Sequence, residues 1–299
     1  MSEKFLGMNP IVGNKKDAFE IISSLWQKLP TIAKDLILQT QDISEPRNKI
    51  FFDNPDNYLE HEPNWHQWGI ITHTKMFEKF YHQEIPAYIE DWGIKEKVDS
   101  YMSEEIDGMN KEVLLNMSIP LHDLGKFTMR RLKKEEDGSI STSFKKHEVE
   151  SGRIIRSIKF SEMLKKEYNV TAAQIEYIAR CAELHYELGI VRDEAKKSKM
   201  GYTLIYAQSD EFAERAKQLQ EQHTGFGLEV GILFLADSLA KTDIRLNNDT
   251  DKDLSAQEQK TKELIVQRGL NPKLIKAVMQ LPVNREIAKT YLSICCNKQ

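Results

Sequence analysis

The sequence predicts an all-α protein. Helical periodicity recurs along most of the 299 residues, strand-like alternation is scarce, and capping-box signatures stand at Thr171/Gln174 and Ser255/Glu258. A chain of this length forms one large domain or two ordinary ones and buries a sizeable core without cross-links.

Taken in order, residues 16–40 read as one or two helices with a break at Pro30. Residues 41–64, rich in Pro, Asn and Asp, read as a long connection. Between Trp65 and Tyr81, the residues His73, Met76, Phe77 and Phe80 share one helical face. A helix over about 110–124 carries Val113, Leu114, Met117, Leu121 and Leu124, with Gly125 at its C′ position. Asp137-Gly138 lies between TMRRL and ISTSF and predicts a short hairpin. Helices follow over about 148–166 and from Thr171, the latter placing Ile175, Ile178, Ala179, Ala182 and His185 together. Residues 191–224 read as a charged surface excursion with its own helix. Strong periodicity returns over 227–246, with Val230, Leu233, Phe234, Asp237 and Ala240 on one face. A helix opened by Ser255/Glu258 ends at Gly269 and Pro272, and 247–254 is the best linker candidate.

Charge narrows the function. With 42 basic and 46 acidic residues the net charge is -4, which argues against a global binder of nucleic acid or anionic membrane. No apolar run approaches the roughly 18–20 residues of a membrane helix. The N-terminal segment MSEKFLGMNPIVGNKKD has no apolar secretory stretch. Cys181, Cys295 and Cys296 are too few and too badly spaced for a disulfide framework or a thiolate zinc site. A reducing, cytoplasmic setting is therefore expected, and any metal must be held by imidazole and carboxylate.

Candidates for that task stand on the apolar faces or at the ends of several helices: His73, the pair His122-Asp123, His147, His185 and Asp237. A single histidine on an apolar face is usually a hydrogen-bonded core residue. A set of them on separate helices is different, because a metal ion satisfies several costly buried polar groups at once.

The ordered set, with LHDLGK at its centre, resembles the HD superfamily of metal-dependent phosphohydrolases over roughly residues 60–245. The run HDLGKFTMRRLKKEEDGSISTSFKKHEVESGRII is most similar to the HD domain attached to bacterial tRNA nucleotidyltransferases, and the HE segment is comparable to that of CRISPR-associated HD nucleases. The chain departs from the pattern at Pro120, where the family has a helix former, and it has no room for the nucleotidyltransferase head. The GYP motif of cyclic-dinucleotide phosphodiesterases is absent.

The resemblance implies an HD-type helical bundle over 61–246, with a short β-hairpin after the HD motif and helical extensions over 1–60 and 247–299. It implies a basic metal site of His73, His122, Asp123 and Asp237, with His147 and His185 adding a second divalent ion (Fe, Mn, Ni, Zn or Mg). Asp123 would bridge the ions and orient a water nucleophile, and Lys126 would face a substrate phosphate; the other reading of Lys126 is a cation stabilised by a helix C-terminus. Arg130, Arg131, Lys145 and Lys146 would bring positive charge to the site mouth, or else form a solvated hairpin face. His66 is either a substrate or supporting residue or a surface histidine, and Trp65 and Trp68 read as core or rim.

The expected activity is hydrolysis of a nucleotide, cyclic phosphate, oligonucleotide or other small phosphoester. The same six ligands serve diiron oxygenases on HD-type scaffolds, and a non-catalytic metal- or nucleotide-sensing module is the third alternative. A homo-oligomer is compatible with the flanking helices, and no membrane partner is expected.

Overall fold

The computed structural model describes residues 18–134, 138, 140–201, 203–246 and 254–297, and it is all-α apart from two short hairpins. α1 (Ala18–Thr40) and α2 (Pro46–Asp53) precede α3 (Ile70–Gln83), α4 (Ile85–Asp91) and α5 (Lys95–Met102). The strands β1 (Glu105–Ile106) and β2 (Met109–Asn110) pair ahead of α6 (Lys111–Ser118). A 3-10 turn over Ile119–Leu121 leads to α7 (Leu124–Met129). The predicted hairpin follows as β3 (Arg131–Lys134) and β4 (Ile140–Ser143), antiparallel with Arg131 opposite Ser143. Then come α8 (His147–Arg156), α9 (Ile158–Tyr168), α10 (Ala172–Leu184), α11 (Glu187–Glu194), α12 (Leu204–Ala207) and α13 (Asp210–Gln222). The chain closes with α14 (Gly227–Ala240), α15 (Leu254–Gln267) and α16 (Ile275–Asn297).

α14 is the spine. Every residue from Leu228 to Ala240 is buried, Glu229 and Asp237 included, between α3, α10 and α16. A helix apolar on all sides has to be enclosed on all sides. Around it α7 packs on α8 and α1, and α8 on α10. α1 and the second half of α16 belong to the same apolar cluster, so the flanking helices are continuous with the core. A smaller cluster of Ile244, Ile265, Leu274, Ala277 and Val278 has Trp65 packed against it.

Several local expectations are corrected. α1 does not break at Pro30. The ring lies on the exposed face, while Leu25, Leu29, Ala33 and Leu36 carry a buried stripe past it, so burial outweighs the lost hydrogen bond. The supposed connection at 41–64 contains α2, in which Pro46 is the first residue and the Glu45 side chain accepts Asn48 N–H at 2.9 Å; proline there starts a helix. The helix expected over 110–124 ends at Ser118, where Pro120 diverts it into the 3-10 turn. The helix expected over 148–166 breaks at Ser157, whose hydroxyl caps α9. The Thr171/Gln174 capping box is present. Of the candidate linker 247–254, Leu254 begins α15; residues 247–253, Asp137 and the Ser255 side chain of the second capping box lie outside the described residues.

No described helix is long and apolar enough to cross a membrane. All three cysteines are buried and none is in a disulfide.

Candidate metal centre

Each candidate ligand is delivered by the end of an element. His73 stands in the first turn of α3, whose N-terminus Gly69 cannot cap; Asp56 caps it instead, accepting Thr72 N–H at 2.8 Å. His122 and Asp123 occupy the junction between the 3-10 turn and α7, not the end of one helix. His147 opens α8, behind Lys146 in a left-handed conformation (φ 66°). His185 follows the last turn of α10, and Asp237 lies near the end of α14.

Asp123 is the hub. Its Oδ2 lies 3.3 Å from His122 Nε2 and 3.8 Å from His73 Nε2, while its Oδ1 lies 3.3 Å from His147 Nε2 and 3.8 Å from His185 Nε2. Asp237 Oδ1 adds a second carboxylate 3.0 Å from His73 Nε2. Two groups result, His73/His122/Asp123 and Asp123/His147/His185, each with its donor atoms within 4.8 Å of one another. Either group could hold a metal ion.

All four imidazoles are oriented alike. Nδ1 meets a backbone carbonyl in each case: His73 with Ala240 (3.2 Å), His122 with Ile119 (2.7 Å), His147 with Phe144 (2.9 Å) and His185 with Ala182 (2.7 Å). A carbonyl only accepts, so the proton sits on Nδ1 and each Nε2 turns its lone pair inward. Such an outer contact is what fixes the tautomer of a metal-binding histidine. His122 Nε2 and both Asp123 oxygens are buried without a hydrogen bond of good geometry. Each atom left so costs about 1–3 kcal/mol, a cost a cation between them removes. The residues therefore fit a divalent metal.

The electrostatics agree. Burial drives the His185 imidazole down to about 3 and also lowers His73. Burial opposes a charged His122, but the adjacent Asp123 outweighs it and raises that ring. Burial alone would raise Asp123; Lys126 and His122 reverse this and hold the carboxylate well below its usual range. Asp237 follows the same pattern, with Lys241 and His73 outweighing burial.

Lys126 stands beside the cluster: it is buried in α7 and its Nζ lies 2.8 Å from Asp123 Oδ2. It also falls in the last turn of α7, where the alternative reading put it, but as a buried cation. His66 is buried too, stacked on His61 at 3.9 Å and edge-on to His73 at 4.9 Å between ring centres, so the surface reading is wrong. Trp68 Nε1 donates to the Ala240 carbonyl at 2.9 Å, the same carbonyl that orients His73.

The predicted basic mouth is not what the structure builds. Arg130 is 1% exposed, donates to Asn48 Oδ1 at 2.7 Å, pairs with Glu60 and lies over the Phe51 ring. Its charge is spent on a buried ion pair. Arg131, Lys145 and Lys146 lie exposed on the hairpin and the loop after it. Positive charge reaches the centre from elsewhere. Lys241 Nζ lies 3.4 Å from Asp237 Oδ2, and Arg192, buried against Tyr186 and Phe234, adds to the positive potential at Lys241. Lys241 was legible as the residue one helical turn beyond Asp237; Arg192 left no signal in a stretch that reads as charged surface. His61 and Glu62 were also missed. Glu62 (φ 45°) feels Lys126, His147, Lys241 and Asp123, and burial raises its carboxyl.

No family model matches the chain, and no curated protein matches it.

Proposed function

We propose that this chain is an HD-type metal-dependent phosphohydrolase that cleaves a small phosphoester such as a nucleotide or cyclic phosphate. The observation that carries the reading is Asp123, whose two oxygens each face a pair of imidazoles with inward Nε2 atoms. That arrangement supports two ions sharing one carboxylate: His73, His122, Asp123 and Asp237 would hold one, and Asp123, His147 and His185 the other.

Bound divalent ions would supply Lewis acidity and a water acidified toward neutral pH. The protein's own groups do the rest. Lys126 and Lys241 stand beside the two carboxylates, where an ammonium matches an incoming phosphoryl oxygen. Asp123 and Asp237 offset Lys126 and Lys241, so bound divalent ions would leave the centre net positive and suited to an anionic phosphoryl group. The burial of every ligand except His147, which is partly exposed, excludes bulk water and strengthens each of these interactions.

The test is turnover. Protein loaded with Mn, Ni, Mg or Fe is expected to hydrolyse a generic phosphoester, and His122→Ala and Asp123→Ala to abolish it. Failure of the wild type across a broad phosphoester panel would sink the reading. Oxygen consumption with a mixed-valence iron signal would replace it with diiron oxygenation.

A further inference from the structure

We propose that His61 is a positioning residue that holds the Lys126 ammonium beside the metal ligands, aimed at a phosphoryl oxygen of bound substrate. This rests on the phosphohydrolase reading above.

His61 is fully buried, and both of its ring nitrogens have a partner. Nδ1 lies 3.0 Å from the Trp68 carbonyl, and Nε2 lies 3.0 Å from Lys126 Nζ. A carbonyl only accepts and an ammonium only donates. The two partners together leave one state for the ring: neutral, protonated on Nδ1, with the Nε2 lone pair receiving Lys126. No lone pair remains, so His61 is not a further metal ligand. The ring itself is fixed by the His66 stack at 3.9 Å and by Phe144 edge-on at 6.0 Å.

Lys126 therefore has two neighbours at its ammonium, the His61 Nε2 acceptor at 3.0 Å and the Asp123 Oδ2 charge at 2.8 Å. An ammonium has three protons. One is directed at His61 Nε2; Asp123 Oδ2 is close in distance but outside hydrogen-bond geometry, which leaves the other two for a ligand. Asp123 as the sole neighbour would let the flexible lysine stem settle onto the carboxylate, where the ammonium competes with a metal ion for Oδ2.

The test compares wild type, His61→Phe and His61→Gln, all loaded with Mn. Gln can place an amide oxygen where Nε2 stood; Phe keeps the ring and removes the acceptor. Inorganic phosphate binding, measured by calorimetry, is expected to weaken about tenfold in H61F, equivalent to about 1.4 kcal/mol, and to return close to wild type in H61Q. Turnover of a generic phosphoester should follow the same order through kcat, with Mn content unchanged. Reductive methylation of Lys126, mapped by mass spectrometry, should be slow in wild type and H61Q and fast in H61F. Equal phosphate binding in wild type and H61F, or an H61Q as impaired as H61F, overturns the proposal and leaves the functional reading standing. A methylation pattern as expected, with no phosphate binding or turnover in any form, overturns the functional reading and the phosphoryl target while leaving the His61–Lys126 anchor.

Discussion

Gly125 lies directly against His147: a Cβ at position 125 would fall 2.0 Å from the His147 carbonyl oxygen and 2.9 Å from Ser151 N. The same contact is stitched by Ser151 Oγ, which accepts Gly125 N–H at 2.8 Å and donates to the His147 carbonyl at 2.9 Å. α7 and α8 thus meet backbone to backbone, and that approach brings His147 to Asp123.

Gly125→Ala should therefore damage the fold and the centre together. Overpacking typically costs about 1–3 kcal/mol, and here the obstacle is α8 backbone rather than a side chain, which places the loss at the upper end or beyond. Urea denaturation should show a lower midpoint, and metal analysis of the surviving folded protein a reduced content. An alanine variant with wild-type stability and metal content would show that the two helices separate freely.

The two donor groups make a separate forecast about stoichiometry. His185→Ala removes a ligand from the Asp123/His147/His185 group alone. Bound metal should fall from two ions to one, whereas Asp123→Ala should lose both. Saturating metal should also stabilise the wild type more than the variant, since a ligand at 100 times its Kd contributes about 2.7 kcal/mol. Elemental analysis and thermal denaturation with and without metal would read both. Two ions in His185→Ala would refute the assignment of that residue.

Gly125 also shows how far the sequence could be read. Its importance was visible, but the reason was not. It appeared to be a helix C′ residue, whereas its φ is not positive and it serves a close approach that only the packed structure reveals. The six candidate ligands were legible because each belongs to a short local pattern. The anchoring carbonyls were not, because they depend on the 3-10 turn over Ile119–Leu121, which sets the Ile119 carbonyl against His122, and on α14 ending beside α3. Arg130 fails in the opposite sense. Its place after the HD motif suggested a phosphate contact, yet Glu60, seventy residues away in sequence, claims it. Long-range pairing of this kind leaves no local signal.

That correction has its own consequence. Glu60 is shared by Arg130 and by Arg47, whose NH2 lies 2.9 Å away. Arg130→Met should cost about 3 kcal/mol of stability, at the low end for a broken buried pair because Arg47 still serves Glu60. The folded variant should keep its KM for a phosphoester within about twofold of wild type, as expected when no substrate contact is lost. A large rise in KM with unchanged stability would restore the substrate role.

Glu229 makes the pH dependence of the fold specific. It is wholly enclosed in α14, and burial raises its carboxyl above the ordinary value of 4.5. Tyr177 Oη donates to Oε1 at 2.7 Å and Tyr101 Oη lies 3.0 Å from the same oxygen, contacts that favour the ionised form but do not offset burial; Tyr101 Oη also meets the Gly225 carbonyl. Between pH 4.5 and the raised folded value, the native state holds a proton that the unfolded chain has lost. Stability supplied by this group is thus complete below pH 4.5 and declines as pH rises through the folded value, by about 1.36 kcal/mol for each pH unit that separates 4.5 from that value. Glutamine keeps one donor and one acceptor in the same places and does not titrate. Glu229→Gln should therefore match wild type near pH 4 and become more stable than it as pH rises from 4.5 through the raised folded value, in chemical denaturation of the metal-free protein. A difference between the two proteins that stays constant over this range would show that Glu229 is already ionised in the fold, with its burial offset by the two tyrosine hydroxyls.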